Sequence, residues 1–383
     1  MKRARKALVV ATKSLLALAL LAWVVSQVHW RDYVTERGTE RSFAILEKRA
    51  EEGACTLRLA EGMLWWRSER LEPCERFAPA AGGGLTSPGV ATSLRDLRLG
   101  LVAAAVAAYL LFLGILSIRW WLLLRAAESP MTLWQATRLN FLGLFFSTFM
   151  PGSVGGDVVK AYYAVRGAPN KAAALVSIAL DRLLGLLGFA LVAAAACAVA
   201  VGAGVLDVSH VGRAVLSSAV VTVTIAGSLT LLLSARLRRF FRLGTLFARV
   251  GLARITDSLG EAARLYEHHL ARLAWPGVIT LISTLVLVAS LALLGGALGM
   301  QTAWHTYVLY VPLITIIAAV PLTPGGLGFV EQLYLFYFAS AACGPSQILT
   351  FVLLIRVLSI LCSLPGALEL LAGTRVPAPA EVG

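Results

Sequence analysis

The chain reads Pro151-Gly-Ser-Val-Gly-Gly-Asp157 at one glycine-rich break in its hydrophobic segments and Thr323-Pro-Gly-Gly-Leu-Gly-Phe-Val-Glu331 at a second. In both cases an arginine inside an apolar run follows the acidic residue after 25 positions, Arg182 after the first break and Arg356 after the second. Because the break, the acidic residue and the arginine recur at the same spacing, the sequence predicts one structural unit used twice.

The composition around the two breaks is that of a polytopic membrane protein. Of 383 residues, 58% are hydrophobic and only 14% are charged, which excludes an ordinary soluble globular protein. Several apolar stretches reach the roughly 20 residues that a helix needs to cross a bilayer. We predict full spans at residues 7–28, 98–118, 172–203, 212–234, 276–299 and 346–372. Two more apolar segments, 133–160 and 304–342, contain the breaks, and the predicted fold class is an all-α polytopic membrane protein.

The basic residues predict which side of the membrane each segment faces. A cluster at Met1-Lys-Arg-Ala-Arg-Lys6 precedes the first apolar run, which lacks a small-x-small cleavage pattern, so we expect an uncleaved first helix (1–28) and a cytoplasmic N-terminus. Alternation then puts residues 29–97 outside, and residues 235–275, with eight arginines against three acidic residues, inside. The C-terminal tail, 376–383, is cytoplasmic as well. The net charge of +13 is therefore attributed to loops near anionic headgroups and not to a nucleic-acid partner.

The flanking charges also predict how the broken segments lie in the membrane. Basic residues stand on both sides of the first one: Arg119, Arg125, Lys160, Arg166 and Lys171. Both of its ends are then cytoplasmic, which makes it a re-entrant helical hairpin whose apex must be buried in protein or line a wet cavity. The second hairpin enters from the opposite face. We therefore expect a membrane domain over 98–375 that is an inverted repeat, with halves at about 98–234 and 276–372 and hairpin tips that meet near the membrane centre.

The outer segment, 29–97, is charged and carries no long apolar run. It is either a small subdomain, with a helix expected at 39–52, or a mostly disordered insertion. If it lies in an oxidising compartment, Cys55 and Cys74 could form a disulfide.

Seven polar residues in or beside the apolar segments form the candidate site: Asn140, Asp157, Lys160, Asp181, Arg182, Glu331 and Arg356. A charge at the bilayer centre costs about 2.5–3.5 kcal/mol on insertion scales, so each one needs a partner or a function. We interpret Arg182 and Arg356 as binding phosphate in a central polar cavity, because a guanidinium binds phosphate bidentately and stays charged when desolvated. Asp157 and Glu331 would receive the cationic part of a headgroup, bind a coupling proton or ion, or brace the arginines.

A structural alternative explains the same residues as ion pairs that only pin the hairpins. Asp157 or Asp181 would then pair with Arg182, and Glu331 with Arg356. The repetition of the arrangement in both halves favours the functional interpretation. Asn140 either lines the cavity or holds neighbouring helices together.

The glycine breaks supply a second device for binding phosphate. Free backbone N–H groups at half-helix N-termini point the positive end of the helix dipole at a ligand, and glycine permits close approach and positive φ. The residues of the two tips are Pro151, Gly152, Gly155, Gly156, Pro324, Gly325, Gly326 and Gly328. No nucleotide-binding loop, catalytic triad or metal-ligand spacing accompanies them, so we expect no cofactor, no metal and no enzymatic activity.

Several motifs together carry a resemblance to a known family: Asn140, Pro151-Gly-x-x-Gly-Gly-Asp157 with Lys160, Asp181-Arg182, and Pro321-x-Thr-Pro-Gly-Gly-Leu-Gly-x-x-Glu331. Over most of 98–372 the chain resembles the lysylphosphatidylglycerol synthase transmembrane region, a flippase-like family of lipid-handling membrane proteins. The resemblance implies a domain that moves a lipid headgroup, such as that of an aminoacylated phosphatidylglycerol, between leaflets. The chain departs from the bifunctional synthases, because nothing after residue 375 resembles an aminoacyl transferase domain. It also has Lys160 where arginine is frequent and Asp181 where glutamate is usual.

The favoured hypothesis is a flippase of the bacterial inner membrane that moves an anionic or aminoacylated phospholipid, or a polyprenyl-phosphate lipid. The alternative is a membrane glycosyltransferase or an accessory subunit in envelope-lipid synthesis. The expected partners are membrane lipids, with anionic lipid at the basic loop 235–275, and either a lipid-synthesis enzyme or a second copy of the chain.

Overall fold

A computed structural model describes residues 29–37, 42–51, 54–61, 68–77, 86–149, 155–167, 170–204, 270–320, 322–339 and 343–371, with Val223 and Gly227 described singly. The predicted span 7–28 and, apart from those two residues, the predicted span 212–234 lie outside the described residues. So do residues 235–269 of the basic loop, the tail 376–383, and Pro151 and Gly152 of the first glycine break.

Nine α-helices and four β-strands make up the described part of the chain. The strands are β1 (Tyr33–Thr35), β2 (Ser42–Glu51), β3 (Ala54–Glu61) and β4 (Ser68–Pro73). The helices are α1 (Val90–Arg95), α2 (Leu99–Ala126), α3 (Leu133–Phe149), α4 (Gly155–Gly167), α5 (Lys171–Gly202), α6 (Leu270–Ala297), α7 (Trp304–Ala318), α8 (Phe329–Phe338) and α9 (Pro345–Leu371). Short 3-10 turns lie at Cys74–Arg76 and Pro324–Gly326.

Four of the described helices are long and apolar enough to cross a membrane. The segments are Leu99–Ala126, Lys171–Gly202, Ala274–Ala297 and Pro345–Glu369. They coincide with the spans predicted at 98–118, 172–203, 276–299 and 346–372, so the chain is a mostly helical, multi-pass membrane protein. The helix at the span predicted for 98–118 continues to Ala126, so Arg119 lies inside this helix and not in a loop that flanks it.

The described residues fall into two compact units. The first contains the described residues up to Ala105 together with Leu291–Thr306 and Leu327–Val357. The second contains Val106–Ser290, Tyr307–Gly326 and the described residues from Leu358 onward.

The first unit carries a four-stranded antiparallel sheet in the order β1-β2-β3-β4, which the predicted all-α class leaves out. Leu57 and Leu59 alternate with polar residues along β3, and they are buried with Val34 and Phe77 in a small core. A disulfide joins Cys55 in β3 to Cys74, with Cα atoms 5.4 Å apart. The described residues of 29–97 therefore contain a small disulfide-linked sheet.

The helix expected at 39–52 is wrong, because residues 42–51 form β2. Glutamate, lysine, arginine and alanine give this stretch a high helix propensity, which is a weak prior. Phe43 and Ile45 recur with the period of a strand and pack on the small core, and pairing with β3 satisfies the backbone.

In the second unit, α3 and α4 pack side by side as an antiparallel hairpin, and α4 also packs against α5. Gly156 faces Gly143 and Ser147 so closely that a Cβ at Gly156 would overlap the carbonyl oxygen of Gly143. Small residues at such crossings let backbones approach, as is common between membrane helices. A core around Trp120, Leu124 and Leu142 fills the space between α2, α3 and α5.

The second glycine break lies between α7 and α8. Its turn, Pro324–Gly326, contacts α3 within the second unit. Gly325, Gly326 and Gly328 have φ values of 61°, 67° and 76°, a left-handed conformation that side chains with a Cβ rarely adopt. Glycine is thus required by the backbone of this break.

Candidate functional site

Polar side chains from four helices of the second unit line a cavity of about 150 Å³. Ser117 comes from α2, and Asn140 and Ser147 come from α3. Asp157 and Lys160, three residues apart and therefore on one face of α4, add both signs of charge, and α5 adds Asp181. Leucine and phenylalanine side chains complete the wall. The cavity can thus surround a small polar group with hydrogen-bonding and charged partners.

Asp181 stands between two buried cations. Its Oδ1 accepts a hydrogen bond from Arg119 Nε at 2.8 Å, while its Oδ2 lies 3.8 Å from Lys160 Nζ. Arg119 is only 4% exposed, and its second nitrogen donates to Thr280 Oγ1 of α6 at 3.3 Å. The carboxylate is therefore committed to Arg119 and only loosely paired with Lys160.

The Lys160 ammonium lies at the cavity wall and is 7% exposed. It sits 4.2 Å over the ring of Trp120, whose indole nitrogen donates to Ser177 Oγ at 3.3 Å. The indole face stabilises a cation without giving it a hydrogen-bond acceptor. Lys160 thus keeps the capacity to donate to an oxygen in the cavity.

Asp157 and Arg182 form an ion pair in which Arg182 NH1 donates to Asp157 Oδ2. Asp157 lies in the first turn of α4, where a carboxylate is stabilised by the positive end of the helix dipole. Both side chains are partly exposed. Of the two pairings that the sequence left open for Arg182, the structure has the one with Asp157.

A corresponding ion pair lies in the first unit, again between residues 25 positions apart. Arg356 Nε donates to Glu331 Oε1 at 2.6 Å, and Glu331 lies in the first turn of α8. Glu331 is 4% exposed, and its other oxygen, Oε2, is buried with no hydrogen-bond partner among the described residues. Both arginines that were interpreted as phosphate ligands therefore hold a carboxylate in this structure.

The remaining predicted residues fall into two groups. Asn140 donates to Ser117 Oγ at 3.1 Å and lines the cavity, so it both joins helices and contributes to the wall. Gly155 begins α4, Gly156 packs against α3, Pro324–Gly326 is the second turn, and Gly328 caps α8. In both hairpins an acidic residue already occupies the first helical turn that we expected to face a phosphate.

Sequence reasoning missed Ser117, Arg119, Trp120 and Thr280 as neighbours of the site. The sequence-based prediction places Arg119 in a basic flank, because it ends the span 98–118 one residue before it. The available signal was an arginine with apolar residues on both sides, in a helix of 28 residues whose other arginine, Arg125, lies at its end; such a charge is costly without a partner. Over the described ranges, no group of three His, Cys, Asp or Glu side chains is placed to hold a metal ion.

The family model described as "Lysylphosphatidylglycerol synthase TM region" matches residues 87–366 and confirms the resemblance. Comparison with curated proteins and comparison with solved structures found no match.

Proposed function

Since this chain belongs to the lysylphosphatidylglycerol synthase transmembrane-region family, we propose that it is a lipid flippase that moves a headgroup between leaflets. The headgroup is that of an anionic or aminoacylated phospholipid or of a polyprenyl-phosphate lipid. The headgroup crosses in a polar cavity while the acyl or prenyl tails stay in the bilayer.

The observation that carries the proposal is the charged cavity among apolar helices. Asp157, Lys160 and Asp181 face it from α4 and α5, and Asn140 faces it from α3. Ionisable groups are costly at membrane depth and are kept where they bind a polar cargo or an ion. A lysine, an amide and two carboxylates offer partners for both the phosphate and the polar end of a headgroup.

Arg182 binds the phosphate of the headgroup, and its ion pair with Asp157 holds it in position for this. Both side chains are partly exposed, so the guanidinium can exchange its carboxylate partner for a phosphate oxygen of the cargo. Arg356 acts in the same way from its pair with Glu331. While no headgroup is bound, each carboxylate balances the charge of its arginine and holds the guanidinium in place.

We further propose that the two broken segments are re-entrant hairpins of an inverted repeat in a bacterial inner membrane with cytoplasmic termini. Equal spacing of the two ion pairs supports the repeat, as does the first-turn position of both carboxylates. The disulfide supports an extracytoplasmic position for residues 29–97, because disulfides persist in oxidising compartments. Membrane lipids are the partners, together with a lipid-synthesis enzyme or a second copy of the chain.

The test is headgroup accessibility in proteoliposomes, with fluorescent phosphatidylglycerol, lysyl-phosphatidylglycerol and polyprenyl-phosphate analogues. Wild type is compared with the Asp157→Asn/Glu331→Gln variant and with Arg138→Gln/Glu369→Gln, which removes an ion pair that is not among the cavity-lining residues. We expect wild type and the Arg138/Glu369 variant to flip at least one lipid and the Asp157/Glu331 variant to lose it. Absence of flipping for every lipid, with product formation from a sugar-lipid in detergent, would support the enzyme hypothesis instead.

A further inference from the structure

The guanidinium of Arg119, a residue of α2, lies between α5 and α6 and contacts side chains of both helices. Besides its bonds to Asp181 and Thr280, it lies against Gly185, one turn after Asp181 on α5. A Cβ at Gly185 would come within 3.3 Å of a guanidinium nitrogen, so glycine leaves room for the arginine. Arg119 thus lies behind Asp181, which lines the cavity, and acts on the cavity through that carboxylate.

Arg119 and Lys160 approach different oxygens of the same carboxylate, that of Asp181. The hydrogen bond from Arg119 draws Asp181 Oδ1 to 2.8 Å, and Asp181 Oδ2 is left 3.8 Å from the ammonium. Without Arg119, a direct Lys160–Asp181 ion pair would neutralise the cavity's ammonium. Arg119 therefore decides whether Lys160 is available to a ligand.

The charges around Lys160 do not cancel. Lys160 interacts electrostatically with Asp157, Asp181, Arg119 and Arg182. Among the described residues this cluster has three cations and two carboxylates, a formal charge of +1. Arg119 and Lys160 are buried, and charges near buried groups are screened less than in water, so a net charge discriminates between ligands of different charge.

We propose that Arg119 is the specificity-determining residue of the cavity. By holding Asp181 it leaves one net positive charge, presented by Lys160, for a headgroup that carries one negative charge as a phosphodiester. A zwitterionic headgroup leaves the cluster at +1, and a phosphomonoester dianion overcharges it to −1. This inference rests on the proposed function and narrows its substrate class.

The test compares binding of fluorescent phosphatidylglycerol and phosphatidylcholine with identical chains by the purified full chain in detergent. Arg119→Gln lowers the formal charge of the cluster to zero, Arg119→Gln/Asp181→Asn returns it to +1, and Arg119→Lys keeps it at +1. Arg125→Gln is the control, because Arg125 is an exposed residue of the same helix that lies 5.1 Å over Trp121, away from the cluster. Size-exclusion profiles and melting temperatures establish that each variant is folded.

We expect wild type to prefer phosphatidylglycerol by about tenfold or more, the ratio that corresponds to about 1.4 kcal/mol. The preference should vanish in Arg119→Gln and return in the double variant and in Arg119→Lys, while Arg125→Gln keeps it. A folded Arg119→Gln with the wild-type preference, or a folded double variant without any, would overturn the proposal.

Flipping by the same proteins is measured separately, so the two proposals fail separately. If the protein prefers phosphatidylglycerol in binding but transports no lipid, the flippase proposal is contradicted and the role of Arg119 is supported. If the protein transports a lipid but shows no charge preference in binding, the flippase proposal is supported and the role of Arg119 is contradicted. The phosphodiester could also belong to a soluble solute. Excess glycerophosphoglycerol is therefore added as a competitor. If phosphatidylglycerol stays bound, the site is one for lipid; if glycerophosphoglycerol displaces it, the site is one for the soluble phosphodiester.

Discussion

Two carboxylates, Asp157 and Glu331, each neutralise an arginine at the first turn of a short helix. The pairs differ in their surroundings. Asp157 is partly exposed and has Lys160 and Asp181 as charged neighbours, whereas Glu331 is buried with one oxygen that makes no hydrogen bond. Both arginines are partly exposed and can exchange partners, but Glu331 is more buried than Asp157 and therefore depends more heavily on its arginine.

Removing Arg356 should cost more stability than removing the whole pair. Arg356→Gln leaves the buried Glu331 carboxylate without its charge partner, a loss of about 1–3 kcal/mol or more, whereas Arg356→Gln/Glu331→Gln removes both charges. The check is the melting temperature of the purified protein in detergent. Equal destabilisation by the single and the double variant would contradict the dependence of Glu331 on Arg356.

The six charged candidates could be selected from the sequence because charges inside apolar runs are conspicuous. The sequence offers the Glu331–Arg356 pair as one interpretation and leaves both Asp157 and Asp181 open as partners of Arg182, for which the structure has Asp157. Arg119 could not be assigned in the same way. The extent of α2 past residue 118 depends on packing of Trp120 and Leu124 against α3 and α5, which hydropathy does not reveal.

At the scale of elements, the α3–α4 hairpin depends on the contact between Gly143 and Gly156. Gly156→Ala should destabilise the protein by about 1–3 kcal/mol, because the added methyl overlaps the Gly143 carbonyl and forces the helices apart. Gly114→Ala in α2 is the matched control, since a Cβ there meets no other atom within 4 Å and alanine favours the helix by about 0.5–1 kcal/mol. Melting temperatures that fall by the same amount in both variants would contradict this packing.

The sheet of the first unit depends on its disulfide. Cys55→Ser/Cys74→Ser releases a loop with a sequence separation of 19, which lowers local stability by about 3 kcal/mol. We expect faster tryptic cleavage within 29–97 under non-reducing conditions, and a matching acceleration of wild type by a reductant. If the reductant changes neither protein and the variant is cleaved at the wild-type rate, the disulfide does not stabilise the sheet.

Prediction from sequence succeeded for the four described spans, because a run of about 20 consecutive apolar residues is typical of a helix that crosses a membrane. It failed for β2, where local propensity favoured a helix and tertiary pairing decided for a strand. The second glycine break was located correctly between two shorter helices, since positive φ at Gly325 and Gly326 favours this residue type.

For the whole molecule, the proposed topology predicts where single cysteines react with a membrane-impermeant maleimide. Leu71 on β4 and Trp134 near the start of α3 are both exposed. Leu71→Cys should be labelled from outside intact cells, and Trp134→Cys only after the membrane is permeabilised. The free cysteines Cys197, Cys343 and Cys362 are buried, and burial raises the pKa of Cys343 to about 11, so its thiolate is scarce at pH 7. Labelling of both variants from the same side would contradict the topology.

The central claim is that a lipid headgroup crosses in the cavity that Lys160 faces. The most direct measurement is the rate of phosphatidylglycerol flipping in proteoliposomes that contain wild type, Lys160→Met or the control Lys171→Met, which removes an exposed lysine at the start of α5. We expect Lys160→Met to lower the rate by about tenfold or more at equal amounts of folded protein, because a charge-assisted bond to phosphate is lost, and Lys171→Met to leave the rate unchanged. Equal flipping rates for wild type and a folded Lys160→Met would contradict it.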